Sequence, residues 1–194
     1  MNRTELRQML RYRRQQLSPV TRAEYSVAIY TRIKALALIQ PKQKVALYTM
    51  CGSEVDIMPL VQYANVQRAD IYLPLLPKTG RMMAFTALSK QGYWQTNQFG
   101  IKEWISAVTV PPEALDLVFM PLLGFDIQGN RLGQGGGYYD ASFAFLPQLY
   151  SAKPLLFGVA FDCQRIDNIV TEAWDVPLHG VITERAYYGK SIAF

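Results

Sequence analysis

Residues 115–140, LDLVFMPLLGFDIQGNRLGQGGGYYD, carry the reading that decides the fold. Residues 115–120, apolar but for Asp116, form a run of the kind found in parallel strands buried on both faces. Six of the chain's 13 glycines fall between positions 124 and 137, and a helix is expected over 137–146. Strand, glycine loop and helix in that order gather backbone N–H groups at a helix start, where an anion is favoured and a phosphate can come close. The plain alternative is an ordinary long turn. Neither common phosphate motif is present: there is no G-x-x-x-x-G-K-[ST], and residues 133–138 lack the last glycine of G-x-G-x-x-G.

Working outward, residues 155–161 (LLFGVAF) repeat the buried-strand pattern, and 44–49 (KVALYT), 71–73 and 181–183 read as shorter strands. Residues 81–88 fit a strand at a sheet edge. A basic helix is expected over 2–17, and Ser18 then caps a second one with Pro19 at its first position, running to about Leu38 before Pro41 forbids continuation. Asp56 is expected to cap a helix through Val66. Residues 92–112, aromatic and polar without period, read as a lid or binding loop. Strands alternating with helices at these lengths predict an α/β fold. The expectation is one three-layer α/β/α domain over 1–194, Rossmann-like, with a mostly parallel open sheet and ligands at the carboxyl ends of its strands.

Composition narrows the function. Half of the 194 residues are hydrophobic and 18% are charged, which excludes a disordered chain or a coiled coil. No apolar run approaches the roughly 20 residues that cross a bilayer. Arg11, Arg13 and Arg14 stand where a signal peptide needs its apolar stretch, so the chain is expected in the cytoplasm with Cys51 and Cys163 reduced. His179, the one histidine, and two distant cysteines offer no zinc site or Ser-His-Asp triad. The net charge of +5 is confined to one end: residues 1–22 hold six arginines against Glu5, and the remaining 172 are balanced. On a helix, Arg3, Arg7, Arg11 and Arg14 form one cationic stripe, because residues three and four apart share a face. Either the stripe is a solvated face or it meets an anion, nucleotide phosphate or nucleic acid. The neutral body and the lack of a nucleic-acid motif disfavour the last.

The glycine segment resembles the signature of the 5-formyltetrahydrofolate cyclo-ligase family: Pro121, Gly124, Phe125, Asp126 and Gly129, then Arg131, Leu132, Gly133, Gly135, Gly137, Tyr138, Tyr139 and Asp140. The likeness runs along nearly the whole chain, through Arg3 and Arg7, residues 54–56 (EVD), 72–75 (YLPL), 99–101 (FGI), and 174–177 (WDVP) ahead of 181–184. The chain departs from the family pattern at Gln134 and Gly136, where a basic residue is common, and at Trp104 and His179.

The resemblance implies ATP as co-substrate, bound by Arg3, Thr4, Glu5, Leu6 and Arg7 and by Arg131, Leu132, Gly133, Gln134, Gly135, Gly136, Gly137, Tyr138 and Tyr139. It implies 5-formyltetrahydrofolate bound by Thr49, Glu54 and Tyr138, with magnesium near Asp140 and Asp175 and with Arg131 and Tyr138 at the reaction itself. The implied reaction phosphorylates the formyl oxygen, N10 attacks the activated carbon and phosphate leaves, a chemistry of positioning and charge stabilisation that needs no enzyme nucleophile. A monomer is expected, without nucleic-acid or membrane partners. Two residues keep plain alternatives: Arg131 as a tie to an internal carboxylate, and Asp140 as an acid favoured by the helix dipole. Two other readings stay open: a relative of the same fold acting on another phosphate-bearing substrate, and a nucleic-acid module using the arginine helix.

Overall fold

A computed structural model describes residues 1–146 and 153–189. Its helices are α1 (Arg3–Gln15), α2 (Pro19–Ala35), α3 (Leu60–Val66) and α4 (Tyr138–Phe143). Its strands are β1 (Lys44–Ala46), β2 (Asp70–Leu75), β3 (Ala84–Ala87), β4 (Gly92–Thr96), β5 (Lys102–Ser106), β6 (Thr109–Val110), β7 (Leu117–Pro121), β8 (Gly124–Phe125), β9 (Arg131–Leu132), β10 (Leu155–Val159), β11 (Gly180–Ile182) and β12 (Tyr187–Gly189).

Eight of these strands form one mixed sheet in the order β12-β11-β10-β7-β1-β2-β3-β6. The five central strands, β11 to β2, are parallel; β12 and β3 flank them antiparallel, and β6 pairs antiparallel with β3, which returns it to the central direction. Along β7 the side chains alternate between two cores. Leu117 and Phe119 join Val45, Ile71 and Phe157 beneath Ile29 and Ile33 of α2 and Leu60 of α3. Val118 and Met120 join Phe85 and Leu156 on the opposite face, against Phe143 of α4 and against Val176 and Leu178. Burial on both faces is why 115–120 and 155–161 are apolar without period.

Local chemistry sets the helix starts. Asn2 accepts from the N–H groups of Thr4 and Glu5, and the Glu5 carboxylate takes the Asn2 N–H at 3.0 Å, a reciprocal cap that starts α1. Ser18 Oγ accepts from Thr21 N at 3.0 Å ahead of α2. That helix ends at Ala35, three residues before Leu38, where Ala37 turns left-handed with φ 49°.

Several expectations need correction. Asp56 starts no helix: it accepts from Met58 N at 3.0 Å in a turn, and α3 begins only at Leu60. Pro59 has no N–H to give to a carbonyl one turn back, and the N–H groups of Leu60 and Val61 go to the carbonyls of Ile57 and Met58, three residues back, so tight turns precede α3. β3 is not at the edge, because β6 pairs with it there. Residues 92–106 are not an irregular loop but an antiparallel hairpin of β4 and β5. All five β4 residues are exposed, so no buried face imposes the two-residue alternation by which a strand is read.

Candidate active site

Among the five parallel strands the spatial order is β2-β1-β7-β10-β11, so the chain reverses direction of travel between β1 and β7. In open α/β sheets the crevice beyond the carboxyl ends of strands at such a switch point collects ligands. A cleft of about 990 Å³ lies there. Tyr48, Thr49 and residues 51–54 follow β1 and form its floor, and Pro121 ends β7. One wall is the glycine loop and the start of α4, residues 133–141; the other includes Phe99, Ile101, Lys102 and Glu103 of the hairpin. α1 closes an end with Arg3, Arg7, Arg11 and Arg14.

The arginine stripe is neither a solvated face nor a wholly uncommitted one. Leu6, Met9 and Leu10 seat α1 on Leu132 and Ile169, which turns the arginines toward the cleft. Arg3 pairs with Asp175 at 3.0 Å, and Arg7 Nε donates to the Gly133 carbonyl at 3.0 Å. Arg11 donates to Gln134 Oε1 at 3.0 Å, and Arg14 Nε to Ser53 Oγ at 2.9 Å. The four arginines thus tie α1 to three segments of the cleft: Arg3 to Asp175, Arg7 and Arg11 to the glycine loop, and Arg14 to the loop after β1. Arg3 Nε is buried without a partner among the described residues.

The glycine loop turns twice through backbone that side chains rarely adopt. Gly135 (φ 109°) lies against Arg7, where an added Cβ would sit 3.7 Å from the guanidinium carbon, and Gly137 (φ 69°) precedes α4 against Arg81. Behind the loop, Arg131 is buried and donates to Asp140 Oδ1 at 2.5 Å and to the Val176 carbonyl. Burial lowers the Arg131 pKa, and the carboxylates of Asp140 and Asp175 oppose that shift. Asp140 Oδ1 also accepts from Val176 N, and Asp175 accepts from Glu172 N.

On the floor, Glu54 is 8% exposed. Its Oε2 accepts from Cys51 N at 3.0 Å and its Oε1 from Gln134 Nε2 at 3.2 Å. Burial raises its pKa, opposed by the Cys51 N–H, by Arg14 and by Gln134. Tyr139 stacks on Phe143, its hydroxyl pKa pushed up by burial, while Tyr138 meets Phe99 of the hairpin edge to face with centroids 6.4 Å apart.

Of the residues singled out in the sequence, Arg3, Arg7, Thr49, Glu54, Arg131, Asp140, Asp175, Tyr138, Tyr139 and the loop from Gly133 to Gly137 all border this cleft. Four do not border it. Thr4 and Glu5 are exposed, Glu5 being spent on the helix cap, while Leu6 and Leu132 pack in the small core beneath α1. Sequence reasoning missed Arg81, Lys102 and Glu103, which reach the cleft through the unrecognised hairpin and its approach. Arg14 carried a usable signal, because its spacing puts it on the stripe.

Among the described residues no group of three or more His, Cys, Asp or Glu is arranged to hold a metal. Asp140 and Asp175 are each already paired with an arginine. A magnesium ion that takes one or two protein carboxylates and fills its remaining positions with phosphate oxygens and water needs no such group.

The family model of the 5-formyltetrahydrofolate cyclo-ligase family matches residues 1–184. The chain belongs to that family. The 5-formyltetrahydrofolate cyclo-ligase of Haemophilus influenzae is 37% identical over 156 residues, 76% of this chain and 80% of that protein. The Escherichia coli protein of the same name is 32% identical over 178 residues, 90% and 96% of the two chains. The solution structure of 5,10-methenyltetrahydrofolate synthetase from Aquifex aeolicus superimposes with a TM-score of 0.81 at 29% identity, covering all of this chain and 97% of that one.

As a cyclo-ligase family member the chain is a ligase, and the resemblance first seen in residues 121–140 extends through the fold. The shared topology puts the family's glycine segment and the α1 arginines on one cleft. No helix among the described residues is long and apolar enough to cross a membrane.

Proposed function

We propose that this protein converts 5-formyltetrahydrofolate and ATP to 5,10-methenyltetrahydrofolate, ADP and phosphate, acting as a single-domain cytoplasmic monomer. The observation that carries the reading is the convergence of two chemically different sets of groups in one cleft. One set of lining groups is the glycine loop, Arg3, Arg7 and the Arg131–Asp140 pair; the other is Thr49, Glu54 and the hairpin aromatic Phe99. A nucleotide triphosphate suits the first and a flat, amine-bearing ring the second.

In this reading the N–H groups of residues 133–137 and the terminal nitrogens of Arg7 receive the phosphates, and the unpartnered Nε of Arg3 gains an acceptor. Magnesium held by Asp140 and Asp175 would neutralise charge on the phosphates. Arg131, its charge supported by the carboxylates of Asp140 and Asp175, holds Asp140 in place and fixes the loop that faces the reacting phosphoryl group. Glu54 accepts from donors on the pterin, and Tyr138 spans the junction between the two substrates. The formyl oxygen takes the γ-phosphoryl group, N10 attacks the formyl carbon, and the carbon–oxygen bond breaks with release of phosphate. The cleft supplies position and charge, the two contributions such a transfer requires.

Purified protein mixed with 5-formyltetrahydrofolate, ATP and magnesium is expected to develop the near-ultraviolet absorbance of the methenyl bridge, with no rise when any component is withheld. A folded protein that gives no rise and binds neither substrate overturns the reading.

A further inference from the structure

The four arginines of the α1 stripe are not equivalent. The Arg3 side chain keeps 29% of its surface open, whereas that of Arg14 keeps 5% and borders the cleft beside Ser53 and Glu54. Its Nε is fixed by Ser53 Oγ at 2.9 Å, and its Nη1 lies 4.0 Å from Glu54 Oε1. Glu54 is therefore approached by Arg14 from α1, by the Cys51 N–H from the loop after β1, and by Gln134 from the glycine loop. Tyr48 and Tyr139 face it as well; burial and the Glu54 charge both raise their hydroxyl pKa values, leaving Arg14 the one full opposite charge acting on this carboxylate.

We infer that Arg14 is a positioning residue for the folate-binding groups of the cleft: it fixes the Glu54 carboxylate and does not take part in phosphate binding. The inference rests on the folate reading above. A guanidinium held by a hydroxyl on one edge and facing a carboxylate on the other defines both the place and the charge of that carboxylate. Burial already favours protonated Glu54, and a protonated carboxyl group presents a donor where a pterin N–H needs an acceptor. Arg14 lowers the Glu54 pKa, so its removal raises that pKa further.

The test compares Arg14→Met, Arg14→Lys and Ser53→Ala, each made with Glu54 intact and with Glu54→Gln. Binding of 5-formyltetrahydrofolate is followed by tryptophan fluorescence across pH, ATP binding separately, and Glu54 titration by carboxyl carbon NMR. Arg14→Met is expected to weaken folate binding about tenfold, the loss of one charge-assisted contact, while ATP affinity changes less than about twofold. The pH below which folate binding fails moves upward, and Arg14→Lys restores part of both. In Glu54→Gln the same substitutions have little further effect. Equal losses with and without Glu54, a parallel loss of ATP affinity, or an unchanged Glu54 titration would each overturn the inference. Should Arg14→Met not fold, Arg14→Lys and Ser53→Ala decide between the same outcomes. Wild-type protein that binds no folate defeats the functional reading itself, and the titration then shows separately whether Arg14 controls Glu54.

Discussion

The two walls of the cleft are built by opposite means. The glycine-loop wall is tied into the body by buried charge: Arg131 holds Asp140 and Val176, Arg7 holds Gly133, and β9 pairs with β8 beneath. The facing hairpin has one fully exposed strand and is anchored mainly where Glu103 accepts from the Leu76 N–H at 2.8 Å and where Thr86 and Ser106 share a hydroxyl contact at 3.0 Å. At its tip Asn97 Oδ1 accepts from the N–H groups of Phe99 and Ile101, which holds Phe99 toward Tyr138. A wall with many buried ties is preorganised, and one with few can open at small cost. In the proposed function, the phosphates meet the first kind of wall and the folate enters past the second.

Asp140→Ala strikes that contrast hardest. Turnover should fall at least about a hundredfold, and stability by about 3 kcal/mol, because the buried Arg131 guanidinium loses its partner. Methenyl absorbance and urea unfolding read the two losses separately. Arg131→Met with Asp140→Leu should regain much of the stability and none of the turnover, since an apolar pair can replace a buried ion pair but not its chemistry. Recovery of turnover in the double variant would break the assignment of this wall.

Glu103→Ala should cost about 1–3 kcal/mol by leaving the Leu76 N–H without its acceptor. Hydrogen exchange should then accelerate in 92–106 and stay unchanged in 131–140; equal acceleration in both would remove the distinction between the walls.

Glu54 lies on the floor between them and gives a pH test. Its pKa is raised in the folded protein above the ordinary 4.5, so its favourable contribution is complete below that value and is lost as pH rises through the folded pKa. Glu54→Gln should therefore gain stability relative to wild type as pH rises from 4 toward neutrality, measured as a difference in urea midpoints. A constant difference would mean that Arg14, Gln134 and Cys51 fully offset its burial.

Phe99→Ala is the mildest. Phe99 is 55% exposed, so stability should change by less than about 0.5 kcal/mol, while KM for the folate rises severalfold through loss of the Tyr138 contact. A matching rise in KM for ATP would place Phe99 with the other wall.

The same division explains what could be read without coordinates. β7 and β10 were legible because burial on both faces leaves an uninterrupted apolar run, and α2 because Ser18 and Pro19 write its start into local sequence. The glycine loop was legible from its clustering. The hairpin left no period to find, and Lys102 and Glu103 entered the cleft unannounced with it, as did Arg81 from the loop between β2 and β3. Glu5 shows the reverse error: it stands inside a segment with a binding motif, yet its carboxylate closes a helix cap.

By itself the sequence determined the α/β class, the cationic helix face, the glycine-rich loop and the family, since each is written in spacing or in a short contiguous motif. Tertiary structure alone decided that β1 and β7 flank a switch point, that the hairpin faces the glycine loop, and that the arginines divide. Arg3 and Arg7 remain at the open cleft, Arg11 reaches Gln134, and Arg14 is buried beside Glu54. Helical periodicity places four side chains on one face, but what each meets depends on which loop the rest of the chain folds against it.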